Sequence, residues 1–221
     1  NVEIGDDVII HSHVNISGNT KIGDGTIIFP FASIGNVPQD LKYKGEDTKL
    51  EVGKNNKIRE YVTINPGTAG GGSKTIIGNN CLFMISSHVA HDCIVGNNTI
   101  MANLATLGGH VEIGEWANIG GGVVIHQFVK IGEQSLIGGG FCAKQDVPPY
   151  IVVAGHPLRF VGINKIGLTR RGFSEDKRLL IKKAYRQFFV SKKNRGQALS
   201  SIKNNFDKTD EMKKIINFIC C

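Results

Sequence analysis

Four of the seven histidines, His88, His91, His110 and His126, fall within a span of 39 residues. Imidazole is the side chain whose ordinary proton equilibrium lies nearest neutrality. A group of them can serve as a general base, as donors to a phosphate, or as metal ligands. Asp92 directly follows His91 and is the candidate to orient it. Adjacent residues of a strand point to opposite faces, so a contact between these two requires turn geometry. The tract Leu107-Gly108-Gly109-His110 exposes backbone amides, and the Gly109 N–H could bind a developing oxyanion. Separately, each histidine reads as a surface imidazole capping a turn. They acquire joint chemistry only if the fold gathers them.

The element able to gather them is a repeat. Stepping in sixes from Ile4 meets isoleucine at Ile10, Ile16, Ile22, Ile28 and Ile34. The step resumes at Val52, Ile58 and Ile64, and again from Ile77 through Phe83, Val89, Val95, Met101, Leu107, Ile113, Ile119, Ile125, Ile131 and Ile137 to Ala143. A second column four residues later is small or β-branched (Val8, Val14, Thr20, Cys81, Ser87, Cys93, Thr99, Ala105, Val111, Ala117, Val123), and glycine often follows the leading aliphatic residue. Neither a helix nor an open-ended alternation repeats strictly in sixes. A short strand plus a turn does, and three such units close a triangular coil of 18 residues. Large aliphatic residues fill the interior, small ones the corners, and Gly or Asn supply the turn dihedrals.

Eighteen-residue equivalence stacks His91 under Gly109 and Gln127, with His110 one place beyond that column, His126 one place before it, and His88 at the preceding corner. Successive coils lie about 4.8 Å apart, so the four imidazoles converge on one arc. Two interruptions break the rhythm. Polar residues fill the interval between Ile34 and Val52, including Gln39-Asp40-Leu41-Lys42-Tyr43, and the step from Ile64 to Ile77 is out of phase around Gly67–Gly72. Both are predicted to be loops extruded from the wall, over about 35–51 and 65–76. The repeat stops after Pro148-Pro149. From about Ser174 the pattern is helical, with Leu179, Leu180, Ala184, Tyr185, Phe188 and Phe189 on one face, a break at Gly196, and further helices over Gln197–Phe206 and about Asp210–Ile219. The division predicted is a β-helix over 1–160 and a basic helical domain over 161–221.

Composition excludes several classes. At 41% hydrophobic and 20% charged, with no unbroken apolar stretch near 20 residues, the chain has no membrane span. Five cysteines, an odd number without a C-x-x-C pair, fit reduced thiols better than a disulfide framework. No secretory signal is visible. The chain opens inside a repeat, so further residues are expected upstream. The net charge of +7 hides a split: residues 1–164 carry 11 Lys/Arg against 14 Asp/Glu, and residues 165–221 carry 15 against 5. The basic tail calls for an anionic partner.

The hexads resemble the hexapeptide-repeat family, which implies a left-handed parallel β-helix. The segments His88–Cys93, Leu107–His110, Ile125–Phe128, Gln39–Tyr43, Gln145–Tyr150 and Leu168–Phe173 resemble, within it, the acyl-carrier-protein-dependent UDP-N-acetylglucosamine O-acyltransferases of lipid A biosynthesis. The resemblance implies that His91 deprotonates the sugar 3-hydroxyl, that Asp92 aligns it, and that the Gly109 N–H stabilises the oxyanion formed on a thioester. It assigns His88, His110, His126 and Gln127 to the clefts for the nucleotide sugar and acyl chain. Asp40 and Lys42 would reach the substrate from the first loop, Asn164, Arg170 and Arg171 would meet the nucleotide, and Gly139 would leave room for a long 3-hydroxyacyl chain. It further implies a cytoplasmic homotrimer that receives its acyl group from acyl carrier protein, with no metal, cofactor or nucleic acid. Two positions depart from the family pattern: Ile166 where an acidic residue is usual, and Asn65-Pro66 where His-Arg is common. Three other readings use the same fold: an N-acyl or acetyl-CoA-dependent relative, a zinc β-helix in which three histidines bind the metal as in a carbonic anhydrase, and a non-catalytic structural β-helix, which would not need an arc of histidines.

Overall fold

The computed structural model describes residues 1–191, 193–206 and 209–220; Cys221, the second half of the terminal cysteine pair, lies outside them. The hexads fold into a left-handed parallel β-helix of three sheets. Sheet A runs from Val2–Ile4 to Lys130–Ile131, sheet B from Ile9–Ile10 to Leu136–Ile137 and on into Ile151–Ala154, and sheet C from Asn15–Ile16 to Cys142–Ala143. Each strand pairs with the one a coil away, so that Val89 faces Leu107, Leu107 faces Ile125, and Ile125 faces Ala143. The two interruptions are absorbed between sheets C and A: Ile22 pairs with Val52 and Val52 with Ile77, so each extruded segment leaves the register of the wall intact.

The interior is as the period requires. From Ile22 onward the leading aliphatic residues are buried, as are the small residues Thr20, Cys81, Ser87, Cys93, Thr99 and Ala105 of the second column. Ile4 and Ile10 point the same way but are 44% and 45% exposed, because the first coil has a neighbour on one side only. Burial raises the thiols of Cys81 and Cys93, to about 11 and about 12, so both stay protonated and inert.

The turns bear out one expectation and extend it. Glycine and asparagine take left-handed φ angles at Gly18, Gly25, Gly122, Gly140, Asn55, Asn80 and Asn98, and larger residues such as Phe31, Asp92, Leu104, His110, Trp116 and Phe128 take them as well. The glycine after the leading aliphatic residue answers a different need. A Cβ on Gly96 or Gly114 would fall within 3 Å of the backbone of the next coil at Glu115 or Glu133. The corner stack is too tight there for any side chain.

The antiparallel strand Arg159–Ile163 closes sheet B, and four helices follow: α1 (Lys165–Arg170), α2 (Glu175–Phe189), α3 (Arg195–Asn205) and α4 (Asp210–Cys220). In α2 the buried face runs through Ile181, Ala184 and Tyr185, while Leu179 and Phe189 are exposed. Gly196 does not break the helix. It sits in the first turn of α3, behind a capping box in which Asn194 accepts from the Gln197 N–H and the Gln197 side chain accepts from the Asn194 N–H. The tail is tied to the prism at its last corner: Tyr150 donates to Glu133 at 2.6 Å, Lys214 reaches the same carboxylate at 2.8 Å, and the buried Tyr185 hydroxyl donates to the Pro149 carbonyl at 2.7 Å.

Candidate active site

His91 and Asp92 occupy the turn from sheet C to sheet A, between Val89 and Ile94. Asp92 takes φ +60°, and this left-handed step removes the opposition that a strand would impose. Its Oδ2 lies 2.8 Å from His91 Nδ1. An ionised carboxylate only accepts, so Nδ1 carries the hydrogen and Nε2 keeps a lone pair. The Asp92 side chain is fully buried, and that of His91 is 16% exposed.

The second extruded loop, one coil toward the N-terminus, is what buries Asp92. Thr68 donates twice to the carboxylate, from its N–H to Oδ1 at 2.9 Å and from its hydroxyl to Oδ2 at 2.6 Å. The Asp92 N–H donates to Thr75 Oγ1 at 2.8 Å. Gly71 passes so close that a Cβ there would collide with the carboxyl group. Sequence reasoning missed Thr68, Gly71 and Thr75. The signal available was that the phase break sits directly beside the coil of His91.

One coil toward the C-terminus, His110 stands level with Asp92. Its ring meets that of His91 edge to face, with centroids 5.1 Å apart, and stacks on Phe128 at 4.4 Å. Gly109 is level with His91, and its N–H donates to no acceptor among the described residues. His88 is half-buried, with Nδ1 2.6 Å from the Thr63 hydroxyl. Burial, and then the charge of His91, lower the His88 pKa and favour its neutral form. His126 and Gln127 are exposed on the following coil, where His126 Nδ1 lies 3.1 Å from the Gln127 carbonyl oxygen.

His91, Asp92 and His110 offer ligand atoms within 4.8 Å of one another. Their chemistry suits a hydrogen-bonded dyad better than a resident ion, since His91 Nδ1 and both Asp92 oxygens are already engaged. Among the described residues, His126 lies outside this trio.

The remaining predicted residues lie elsewhere on the chain. Asn164, Arg170 and Arg171 line a cleft of about 990 Å³ at the corner between sheets A and B, together with Trp116, Gln134 and Ile166. Asn164 is 3% exposed: its Nδ2 donates to the Gln134 carbonyl and its Oδ1 accepts the Gly167 N–H, capping α1. The Arg171 guanidinium lies over the Trp116 indole at 5.1 Å, and burial lowers its pKa. Gly139 is exposed at the third corner, between sheets B and C. Asp40 and Lys42 sit on the first loop, which leaves from the histidine corner, and there they bond to each other, the Lys42 N–H donating to Asp40 Oδ1 at 2.9 Å. One chain therefore collects His88, His91, Asp92, Gly109, His110, His126 and Gln127 at one corner, and holds Asn164, Arg170, Arg171 and Gly139 at the other two.

Comparison with known proteins bears on the fold and the family. A family profile described as Udp N-acetylglucosamine O-acyltransferase, domain 2, matches residues 146–220, and one for bacterial transferase hexapeptides matches residues 74–109. The chain is similar to LpxA, a UDP-N-acetylglucosamine acyltransferase from Bacteroides fragilis, at 40% identity and TM-score 0.95, covering 98% of this chain and 92% of that one. It is similar to LpxA from Acinetobacter baumannii at 42% identity and TM-score 0.95, covering 99% and 85%. The UDP-N-acetylglucosamine acyltransferase from Arabidopsis is 31% identical at TM-score 0.84, covering 98% and 91%.

Proposed function

The chain belongs to the UDP-N-acetylglucosamine O-acyltransferase family, and from that premise we propose how its histidine corner performs the transfer. The donor is a 3-hydroxyacyl thioester on the phosphopantetheine of acyl carrier protein. The acceptor is the 3-hydroxyl of UDP-N-acetylglucosamine, and the product opens lipid A biosynthesis. The observation that carries this reading is the His91–Asp92 dyad set directly beside the Gly109 amide.

With Nδ1 bonded to Asp92, His91 Nε2 takes the proton of the sugar hydroxyl as its oxygen attacks the thioester carbonyl. The imidazolium that forms is stabilised by the adjacent carboxylate. The Gly109 N–H receives the negative charge that develops on the carbonyl oxygen. Collapse breaks the carbon–sulfur bond, and His91 returns the proton to the departing thiolate. His110 and Gln127 hold the sugar and diphosphate, and neutral His88 lines the same cleft. The chain supplies every reacting group itself, so no cofactor is required beyond the donor's own phosphopantetheine.

Asn164, Arg170, Arg171 and Gly139 serve the same reaction from a neighbouring copy. They stand at corners other than that of His91, which favours a homotrimer with each active site between two chains, the first loop carrying Asp40 and Lys42 across the junction. The basic tail, with 15 Lys/Arg against 5 Asp/Glu, suits an acidic carrier protein. No helix among the described residues is long and apolar enough to cross a membrane. A carrier-borne donor and a nucleotide-sugar acceptor favour the cytoplasm as the site of action.

The test is to give the purified protein UDP-N-acetylglucosamine and 3-hydroxyacyl carrier protein and to look by mass spectrometry and NMR for an ester at O3. Transfer to nitrogen, or a demand for acetyl-CoA, would assign the chain to another branch of the hexapeptide acyltransferases.

A further inference from the structure

Resting on the reading of His91 as the base, we propose that Thr68 is a positioning residue for the transfer. It acts through Asp92 and not on either substrate. The second extruded loop is then a clamp on the catalytic dyad.

A corner carboxylate on a β-helix would ordinarily face solvent. Asp92, at φ +60°, is buried instead, because the loop from Gly67 to Ser73 folds over it. Its anchor is Thr68, itself buried, whose N–H and hydroxyl address the two carboxylate oxygens separately. Two donors on two oxygens fix the carboxylate plane, so that the remaining lone pair on Oδ2 points at His91 Nδ1. The loop is in turn tightened around this residue: the Gly71 and Ser73 N–H groups both donate to the Thr68 carbonyl, at 3.0 and 2.9 Å. The lack of a Cβ at Gly71 lets the loop close onto the carboxyl group. Burial removes water that would otherwise compete for Oδ2, which bonds to His91 and Thr68 and lies 4.0 Å from His110 Nε2.

Thr68→Val keeps the shape and the backbone donor but removes the hydroxyl, and Thr68→Ser keeps the hydroxyl. Loss of one hydrogen bond to a buried charged group corresponds to roughly 10- to 100-fold. Thr68→Val is therefore expected to lower kcat by that factor with KM for both substrates within about twofold, while Thr68→Ser stays near wild type. The decisive measurement is a double-mutant cycle with Asp92→Ala. If Thr68 works through Asp92, Thr68→Val costs nothing further in the Asp92→Ala background. An equal loss in both backgrounds, or a rise in KM in place of a fall in kcat, overturns the proposal. His91→Ala, measured alongside, separates the two layers. If it is inactive while Thr68→Val is fully active, the clamp fails and the base assignment stands. If His91→Ala is itself active, the base assignment fails first. Thermal melting of each variant shows whether the coil is intact.

Discussion

The ring of His91 rests on the α-carbon of Gly109 one coil away: a Cβ at Gly109 would stand 2.5 Å from His91 Cε1 and 2.7 Å from Nε2. The glycine thus leaves the base its place as well as offering an amide. Gly109→Ala retains the N–H and the backbone conformation but pushes the ring aside. We expect a loss of at least about 100-fold in kcat, comparable to the loss of an oxyanion donor, with an unchanged melting temperature. Wild-type turnover in this variant would mean that the imidazole works from another position.

His91→Ala removes the base itself. The loss expected is about 10²- to 10⁴-fold in kcat, measured as acyl transfer to UDP-N-acetylglucosamine with the fold confirmed by circular dichroism.

Gly139 borders Gly121 at the exposed corner between sheets B and C, and a Cβ there would come within 3.1 Å of the Gly121 carbonyl oxygen. The surface is bare at that point. Gly139→Met lays a side chain across it and should move the donor preference toward shorter acyl chains. The check is kcat/KM over a series of 3-hydroxyacyl carrier proteins, and an unaltered series would take Gly139 out of the acyl path.

His88 gives a dependence on pH. Its pKa in the folded chain lies below the ordinary value of 6.5 because burial disfavours the charged ring. The unfolded chain therefore binds a proton that the folded chain resists. Stability falls as pH drops from about 6.5 toward the folded pKa, and this contribution is absent at higher pH. Melting curves at pH 7.5 and 5.5 should show a smaller decrease for His88→Asn than for the wild type. An equal decrease would mean that His88 is not the group responsible.

The repeat made most of the fold legible. Isoleucine every six residues dictates a coil, and the coil dictates which histidines meet, so His91, His110 and Gly109 could be placed together from spacing alone. What spacing cannot carry is the direction of a side chain within a turn. The contact of Asp92 with His91 depends on one left-handed φ, which the six-residue period does not assign to a particular residue. The clamp from Thr68 was hidden for a related reason: it belongs to a segment that leaves the period, where equivalence gives no coordinates. The corner glycines were legible as glycines but not for their purpose, since their φ angles are ordinary and the constraint comes from the neighbouring coil. The separation of Asn164, Arg171 and Gly139 from the histidines follows from the triangular section, which no linear motif displays.

The stacking of His91, Gly109 and Gln127 in one column also governs which insertions and deletions this protein can accept. Between Thr75 and Gln127 the chain behaves as a screw with a fixed pitch. Whole turns can be gained or lost beyond either end of that stretch without moving the reactive groups relative to one another. A single residue added at Asn97-Asn98 would instead shift every later position by one notch, turning His110 and His126 off the rim and bringing polar side chains into the aliphatic channel. Length variation among related chains should therefore come in complete turns or in the two loops, and the reactive corner should keep its residue count.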